Sequence, residues 1–301
     1  MMEIQKQLLL FMSGIHSGFL NLLVQVFTIF GEEFLLIAIS VFIYWNINKK
    51  NGFVISMSLM NALSVMGIAK AIVRFPRPWM VIDNLETVRQ HTATGYSFPS
   101  GHTTCAASTY SAIAMTFRKR WLSILCAVAI LLVALSRMYL CVHWPMDVVG
   151  GLLIGCGTTF IFGGVFSRTY DDKDKSIRLT TAIGCIMTLA TIVLSIVLMT
   201  GKGDALAFDD LCVSFAVYGG LAFGFSIERR YIDFDINEGE WGKKILRYVI
   251  GLAVVGLILY GGKALLQAIG FYNYLTRALR YFVIGLWCCT YPMLGKKLNL
   301  F

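Results

Sequence analysis

Long runs without an ionisable acidic or basic residue alternate with short polar segments along the chain. Four stretches of 19 to 25 residues contain no Asp, Glu, Lys or Arg: 7–31, 51–69, 148–167 and 179–201. An α-helix needs about 20 apolar residues to cross the hydrocarbon core of a bilayer, so runs of this length predict membrane spans. Hydropathy and the positions of glycine and proline predict ten helical segments beyond residue 18: 19–30, 34–47, 53–75, 103–117, 121–140, 145–166, 178–199, 211–227, 245–266 and 275–291.

The predicted fold is all-α, a polytopic bundle of about nine to ten transmembrane helices. The segments 19–30 and 34–47 are short for full spans, so they either extend into flanking residues or form a hairpin that does not cross fully. Two later helices carry small residues four positions apart, a spacing that lets neighbouring helices pack closely: Gly151 with Gly155, and Gly220 with Gly224.

Composition agrees with a membrane protein and excludes several other classes. Hydrophobic residues make up 57% of the chain, charged residues only 14%, and the mean hydropathy is +0.70, which excludes a soluble domain. The net charge is +9, but the basic residues form short clusters between apolar runs, which argues against a nucleic-acid partner. The eight cysteines include no C-x-x-C pair, so we expect buried small side chains and not zinc ligands.

The distribution of basic residues predicts the orientation in the membrane. If every segment from residue 19 onward crosses, 17 of the 26 Lys and Arg residues fall on one side and 9 on the other. Cytoplasmic loops carry the excess of Lys and Arg. The loop 76–100 is therefore predicted to lie on the non-cytoplasmic side, and the basic cluster 118–120 on the cytoplasmic side.

Ionisable residues collect near the predicted outer ends of several spans, where a charge is costly and usually functional. Lys70, Arg77 and Arg137 have only Asp147 nearby in sequence as an anion, so an anionic ligand would balance them. An arginine presents a fork of N–H donors to phosphoryl oxygens, and a lysine supplies a compact charge. These cations predict a phosphate site.

A helix start in the same region adds uncharged donors. Pro99 ends the preceding loop, Ser100 is suited to cap the helix, and Gly101 lets backbone amides approach a ligand closely. The first turn of a helix has amide N–H groups without carbonyl partners and is a natural site for phosphate. The segment that begins with Ser100, Gly101 and His102 is therefore predicted to bind phosphate.

Two histidines lie at the same predicted level of the membrane. Asp147 follows His143 by four residues, a spacing that allows its carboxylate to accept the Nδ1–H and leave Nε2 as a nucleophile. His102, from a separate segment, is placed to protonate a leaving oxygen. Phosphoryl transfer with these groups needs no metal or other cofactor, because the cations stabilise the phosphoryl oxygens.

Three sequence blocks carry a resemblance to a known family. They read Lys70-(x)6-Arg77-Pro78, Pro99-Ser100-Gly101-His102 and Ser136-Arg137-(x)5-His143-(x)3-Asp147. They resemble the three-part signature of the type 2 phosphatidic acid phosphatase superfamily, which includes lipid phosphate phosphatases, glucose-6-phosphatase and vanadium haloperoxidases. All eleven signature positions match, and the resemblance covers residues 53–166.

The resemblance implies a membrane helix bundle and specific roles for the matched residues. His143 would form a phosphohistidine intermediate, Asp147 would orient it, and His102 would act as acid and base. Phosphate binding would fall to five residues: Lys70, Arg77, Ser100, Gly101 and Arg137.

Residues 1–168 are thus predicted to form a membrane phosphatase core of about six spans, and residues 169–301 additional transmembrane helices of unknown role. The predicted function is hydrolysis of a lipid phosphate of the phosphatidate, sphingoid or isoprenoid phosphate or pyrophosphate class. Two alternatives stay open: a sugar-phosphate phosphatase or phosphotransferase of the same superfamily, and a non-enzymatic lipid transporter. The sequence gives no oligomeric state.

Overall fold

The computed structural model describes residues 2–237 and 240–298, and all regular secondary structure in these ranges is helical. The all-α prediction is confirmed for the described residues. The α-helices are α1 Met2–Gly14, α2 Gly18–Ile29, α3 Glu33–Asn46, α4 Lys49–Val73, α5 Gly101–Phe117, α6 Arg120–Tyr139, α7 Pro145–Asp171, α8 Lys173–Met199, α9 Ala205–Ile227, α10 Trp241–Gly256, α11 Gly262–Ala268 and α12 Tyr274–Lys297. Short 3-10 helices occupy Pro78–Met80 and Gln90–Thr92, and π-helical turns occupy Glu228–Ile232 and Leu257–Gly261.

Within the described residues, six helical stretches are long and apolar enough to cross a bilayer: Lys49–Met80, Arg120–Tyr139, Pro145–Asp171, Lys173–Met199, Ala205–Ile232 and Trp241–Ala268. The number rises to seven if α1 and α2, which are bent by 119° relative to each other, form one broken span. The expected nine to ten membrane helices are not confirmed. One reason is length: α3 and α5 have 14 and 17 residues, so they rise about 21 and 26 Å against about 30 Å of hydrocarbon.

Contacts between Cα atoms divide the chain into two units. The first runs to Ile37 and resumes over Asn61–Gly163, and the second comprises Ala38–Met60 and the chain from Gly164 onward. In the first unit, α5 is buried over residues 103–113. Helix α7 packs closely on it, because a Cβ at Gly151 would lie 2.9 Å from the Ser100 carbonyl oxygen.

In the second unit, α9 packs against both α8 and α12. A Cβ at Gly220 would collide with the backbone carbonyl of Phe282 in α12, and a Cβ at Gly224 would lie 2.9 Å from the carbonyl oxygen of Leu286. The close helix packing predicted from the two glycine pairs is therefore present in both units.

Buried charges fix the end of α3 within the second unit. The carboxylate of Glu228 accepts a hydrogen bond from the Tyr44 hydroxyl at 2.8 Å and pairs with the Lys49 ammonium at 2.8 Å. Arg247 Nε donates to Asn46 Oδ1 at 2.7 Å. Glu228 and Arg247 are both fully buried, so these partners offset a large desolvation cost.

The contact between α5 and α7 gives a first prediction. A methyl group at Gly155 would lie 2.5 Å from the Thr104 carbonyl oxygen, whereas a methyl group at Gly157 would meet nothing within 4 Å. Gly155→Ala is expected to lower the free energy of unfolding by about 2 kcal/mol, because a backbone atom must move. Gly157→Ala is the matched control and is expected to leave the thermal midpoint in detergent unchanged or slightly higher. Equal midpoints for the two variants would contradict close packing at Gly155.

Candidate active site

The structure brings all eight predicted site residues to one end of the first unit: Lys70, Arg77, Ser100, Gly101, His102, Arg137, His143 and Asp147. They come from the last turn of α4, the segment after it, the start of α5, the end of α6 and the start of α7. Hydrogen bonds join Arg77 to His143, His143 to Asp147, and Asp147 to Ser100. Lys70, Arg137 and His102 lie close enough to act on the charge of His143.

His143 lies just before α7, and Asp147 lies in its first turn, as the proline at position 145 predicts. The Nδ1 atom of His143 is 3.3 Å from Oδ2 of Asp147. On the other side of the ring, Arg77 Nη1 lies 3.0 Å from Nε2. A proton on Nδ1 satisfies the carboxylate and leaves the Nε2 lone pair to accept from Arg77.

The surroundings of His143 favour its neutral form. Burial lowers the pKa of this imidazole well below its usual range, and the positive charges of Arg77, Arg137 and Lys70 lower it further. The ring is therefore neutral at pH 7, with a lone pair at Nε2, which is the state that a nucleophile requires.

Backbone carbonyls of the loop 76–100 orient two of the cations. Lys70 Nζ donates to the Tyr96 carbonyl at 3.0 Å. Arg77 Nε donates to the Gly95 carbonyl at 3.1 Å, and its Nη2 donates to the Thr94 carbonyl. Three consecutive carbonyl groups, at residues 94–96, thus hold Lys70 and Arg77 without neutralising their charge.

Arg137 depends on a residue that the sequence did not suggest. Its side chain is 1% exposed, and Nη1 donates to the Thr28 hydroxyl of α2 at 2.7 Å. Thr28 lies 109 positions away in an uncharged apolar run, and no spacing or motif indicates it. Arg137 Nε is buried without a hydrogen-bond partner among the described residues. A buried guanidinium N–H without a partner is costly unless a ligand accepts from it.

His102 presents a second nitrogen of this kind. It lies in the first turn of α5, and its Nε2 atom is buried without a partner among the described residues. The N-cap residue Ser100 makes no side-chain cap hydrogen bond; its hydroxyl instead accepts from Thr103 Oγ1 at 3.0 Å. The amide groups of the first turn of α5, including that of Gly101, and the positive end of its dipole therefore remain suited to an anion.

A second residue outside the predicted set supports Asp147. The Ser97 hydroxyl donates to Asp147 Oδ2, which also accepts from the Trp144 amide at 2.8 Å. Ser97 is fully buried and lies three positions before Ser100. The sequence does carry a signal for Ser97, because this serine belongs to the same loop as the predicted phosphate site and lies shortly before the start of α5.

In the part of the chain that the structure describes, no three His, Cys, Asp or Glu side chains are placed to hold a metal ion together. Among the eight predicted site residues, the charged groups are the three cations and Asp147. The arrangement offers a neutral imidazole, a second imidazole with a nitrogen lacking a partner, and several donors for an anion.

Comparison with known proteins gives matches along most of the chain. A family model described as the PAP2 superfamily matches residues 51–171, and one described as the transmembrane extension of PAP2 superfamily phosphatases matches residues 212–301. PAP2 denotes the type 2 phosphatidic acid phosphatases. The chain is 29% identical over 143 residues to an undecaprenyl-diphosphatase from Sulfolobus acidocaldarius, which is 47% of this chain and 68% of that protein.

Two further matches are to Bacillus subtilis, one to a protein sequence and one to a solved structure. The chain is 36% identical over 92 residues to phosphatidylglycerophosphatase B, a match that covers 28% of this chain and 43% of that protein, less than two thirds of its length. The crystal structure of a PAP2-type phosphatidylglycerolphosphate phosphatase aligns with a TM-score of 0.48 at 23% identity, over 56% of this chain and 86% of that one.

The hydrogen bond from Arg137 to Thr28 gives a second prediction. Thr28→Val keeps the side-chain shape but removes the acceptor, so Arg137 loses its anchor in α2. Binding of inorganic phosphate, measured by calorimetry in detergent, is expected to weaken about tenfold. The matched control is Thr191→Val, which removes a buried hydroxyl that donates within its own helix α8. Unchanged phosphate affinity in Thr28→Val would show that Thr28 does not orient Arg137.

Proposed function

Because the chain belongs to the type 2 phosphatidic acid phosphatase superfamily, we propose that it is an integral-membrane phosphatase that removes phosphate from a phosphorylated lipid. The observation that carries this proposal is the pair of buried nitrogens without partners, His102 Nε2 and Arg137 Nε, beside the neutral imidazole of His143. A phosphate ester would accept from Arg137 and place its leaving oxygen toward His102.

The reaction follows from the roles of these groups. The negative charge of a bound phosphate ester would offset the nearby cations and allow His102 to hold a proton. Nε2 of His143 attacks phosphorus, the bond from phosphorus to the ester oxygen breaks, and protonated His102 gives that oxygen a proton. Water then attacks the phosphohistidine, His102 takes a proton from the water, and inorganic phosphate leaves. Arg77 Nη1 contacts His143 Nε2; a phosphate ester would accept from this donor in place of the imidazole and so free the lone pair.

Charge stabilisation is the remaining requirement. Lys70, Arg77 and Arg137 surround the site with three positive charges, and the first turn of α5 adds backbone amides. The phosphoryl oxygens would bind to this preformed set of donors, which is the main catalytic term expected for phosphoryl transfer. We therefore propose chemistry without a divalent ion or other cofactor.

A lipid substrate fits the surroundings of the site better than a soluble one. The helices α6 and α7, on either side of His143, expose apolar side chains such as Leu131, Leu135, Val149 and Leu153. A lipid can keep its chains in the bilayer while its phosphate reaches the cations. The matched relatives are named as phosphatases of an isoprenoid diphosphate and of a glycerophospholipid. We propose a substrate of the phosphatidate, sphingoid or isoprenoid phosphate or diphosphate class.

The division of labour between the two histidines gives a third prediction. His143→Ala is expected to abolish release of phosphate from both a lipid phosphate and p-nitrophenyl phosphate, because the nucleophile is lost. His102→Ala is expected to lose about 10² to 10⁴ of the rate on the lipid phosphate but less than about tenfold on p-nitrophenyl phosphate, whose leaving group needs no proton.

These assays are run in EDTA, with a soluble sugar phosphate as an alternative substrate. His16→Gln is the control, because it changes a histidine outside the site and can keep the hydrogen bond that His16 Nε2 makes with the Tyr139 carbonyl. Equal losses of His102→Ala on both substrates would assign His102 to positioning or folding. Phosphate release by His143→Ala, or by the wild type only when magnesium is added, would refute the proposed mechanism.

The side of the membrane gives a fourth prediction. The excess of Lys and Arg on the opposite loops supports a non-cytoplasmic site. In a variant with Asp83→Cys, an exposed position of the loop 76–100, an impermeant thiol reagent is expected to label intact cells. A cysteine at Lys119 is the control and is expected to react only after permeabilisation. The reverse pattern would place the site in the cytoplasm. Labelling of Lys119→Cys after the plasma membrane alone is permeabilised, with labelling of Asp83→Cys only after organelle membranes are also permeabilised, would place the site in a lumen.

A further inference from the structure

The turn between α2 and α3 lies directly against the site. The carbonyl of Phe30 accepts a hydrogen bond from the Tyr110 hydroxyl of α5 at 3.0 Å. A Cβ at Gly31 would lie 3.0 Å from the His102 carbonyl oxygen and 3.1 Å from its Cβ. One turn earlier, Thr28 binds Arg137. The next residue, Glu32, directly follows the glycine that contacts His102, and its charge acts on Arg137.

Glu32 pairs with a cation that belongs to no signature block. Arg89 Nη2 lies 2.7 Å from Glu32 Oε1, and the two side chains are 19% and 36% exposed. The backbone of Arg89 has a φ of 62°, a left-handed conformation that is uncommon for a residue other than glycine. The Val88 amide donates to the Leu140 carbonyl at 3.2 Å, which places Arg89 next to the end of α6, at a residue three positions before His143.

The position of Arg89 has an electrostatic effect on the site. Its charge acts on both His102 and Arg137, and the charge of Glu32 acts on Arg137 as well. Arg89 is therefore close enough to interact with a charged ligand at the site. It does not belong to the group of buried cations, Lys70, Arg77 and Arg137, that would bind the reacting phosphate. Its side chain is 19% exposed, whereas Arg137 is buried, so Arg89 lies on the more exposed side of the site, where the part of a substrate beyond that phosphate would lie.

We propose that Arg89, positioned by Glu32, binds the second phosphate of a lipid diphosphate and so makes diphosphate esters the preferred substrates of this chain. This inference rests on the proposed phosphatase function. Lys70, Arg77 and Arg137 bind the terminal phosphate, and Arg89 binds the phosphate attached to the lipid. Its guanidinium forms charge-assisted hydrogen bonds with phosphoryl oxygens, while the ion pair with Glu32 holds it in place.

The reaction balances with water as the only co-reactant. Nε2 of His143 attacks the terminal phosphorus, and the bond from that phosphorus to the bridging oxygen breaks. The bridging oxygen keeps the electron pair and leaves as part of a lipid monophosphate, whose negative charge increases as the bond breaks. Arg89 stabilises this developing charge, and water then releases inorganic phosphate from His143.

The experiment compares farnesyl diphosphate with farnesyl phosphate, which share one apolar chain. The measured quantity is the ratio of kcat/KM for the diphosphate to kcat/KM for the monophosphate. Arg89→Gln is expected to lower this ratio at least tenfold through loss of activity on the diphosphate, with less than threefold change on the monophosphate. The matched control is Lys202→Gln, which removes an exposed positive charge between α8 and α9 and is expected to leave the ratio unchanged.

Competitive inhibition gives a second readout that does not depend on turnover of a lipid. Inorganic diphosphate is expected to inhibit hydrolysis of p-nitrophenyl phosphate more strongly than inorganic phosphate does, and Arg89→Gln is expected to remove most of this difference. Glu32→Gln tests the positioning role, since it leaves Arg89 without its ion pair and is expected to lower the same ratio by a smaller factor.

The possible results separate the inference from the function on which it rests. A ratio in Arg89→Gln within threefold of the wild-type ratio would overturn the role of Arg89. An ion pair between Arg89 and Glu32 that only supports the fold would affect the activity on both substrates equally. Should Arg89→Gln fold poorly, Arg89→Met, which keeps an unbranched apolar stem, is measured by the same criterion. A wild type that hydrolyses only the monophosphate overturns the inference but leaves the phosphatase proposal standing. A wild type that releases phosphate from neither ester contradicts the proposed function itself.

Discussion

The carboxylate of Asp147 joins parts of the site that are distant in sequence. Its Oδ2 atom accepts from Ser97 and from the Trp144 amide and lies within hydrogen-bond reach of His143, while its backbone carbonyl accepts from the Ser100 amide. The loop before α5, the start of α5 and the start of α7 therefore meet at one residue. A buried carboxylate is unfavourable without such donors, so the hydrogen bonds from Ser97 and Trp144 allow Asp147 to be buried. The orientation of the His143 imidazole depends on this buried carboxylate and its hydrogen bonds.

The cations of the site are held by neutral acceptors. Lys70 and Arg77 donate to backbone carbonyls of residues 94–96, and Arg137 donates to the Thr28 hydroxyl. Carbonyl and hydroxyl oxygens satisfy the geometry of an N–H donor but leave its charge in place. The positive potential therefore remains, and the groups that produce it would need little reorganisation to bind the proposed phosphate ligand.

Local spacing allowed much of the site to be predicted from the sequence. The four-residue interval from His143 to Asp147 determines their proximity through one helical turn, and the glycine pairs predict where helices approach. The contacts of Arg137 with Thr28 and of Arg89 with Glu32 could not be predicted, because they join segments that no periodicity or motif relates. Ser97 is the intermediate case, since it lies beside a signature block. The chemical roles of the predicted residues stay predictions.

The number of membrane helices was harder to predict for a physical reason. Hydropathy measures the preference of a segment for lipid, but a helix enclosed by other helices needs no such preference. Helix α3 is short, as expected, and α5 has 17 residues, is shorter than the candidate spans and is buried over residues 103–113 within its unit. Composition alone does not separate these environments.

The enclosure of α5 has a consequence for how the protein is assembled. Its 17 residues include six serines and threonines, so the segment has a weak intrinsic tendency to partition into lipid while it is synthesised. Its neighbours α6 and α7 are long and apolar enough to insert by themselves. We therefore expect the helix whose first turn is proposed to bind the anion to be held in the membrane by its neighbours more than by its own affinity for lipid, so that the site is completed only after the chain that follows it has inserted.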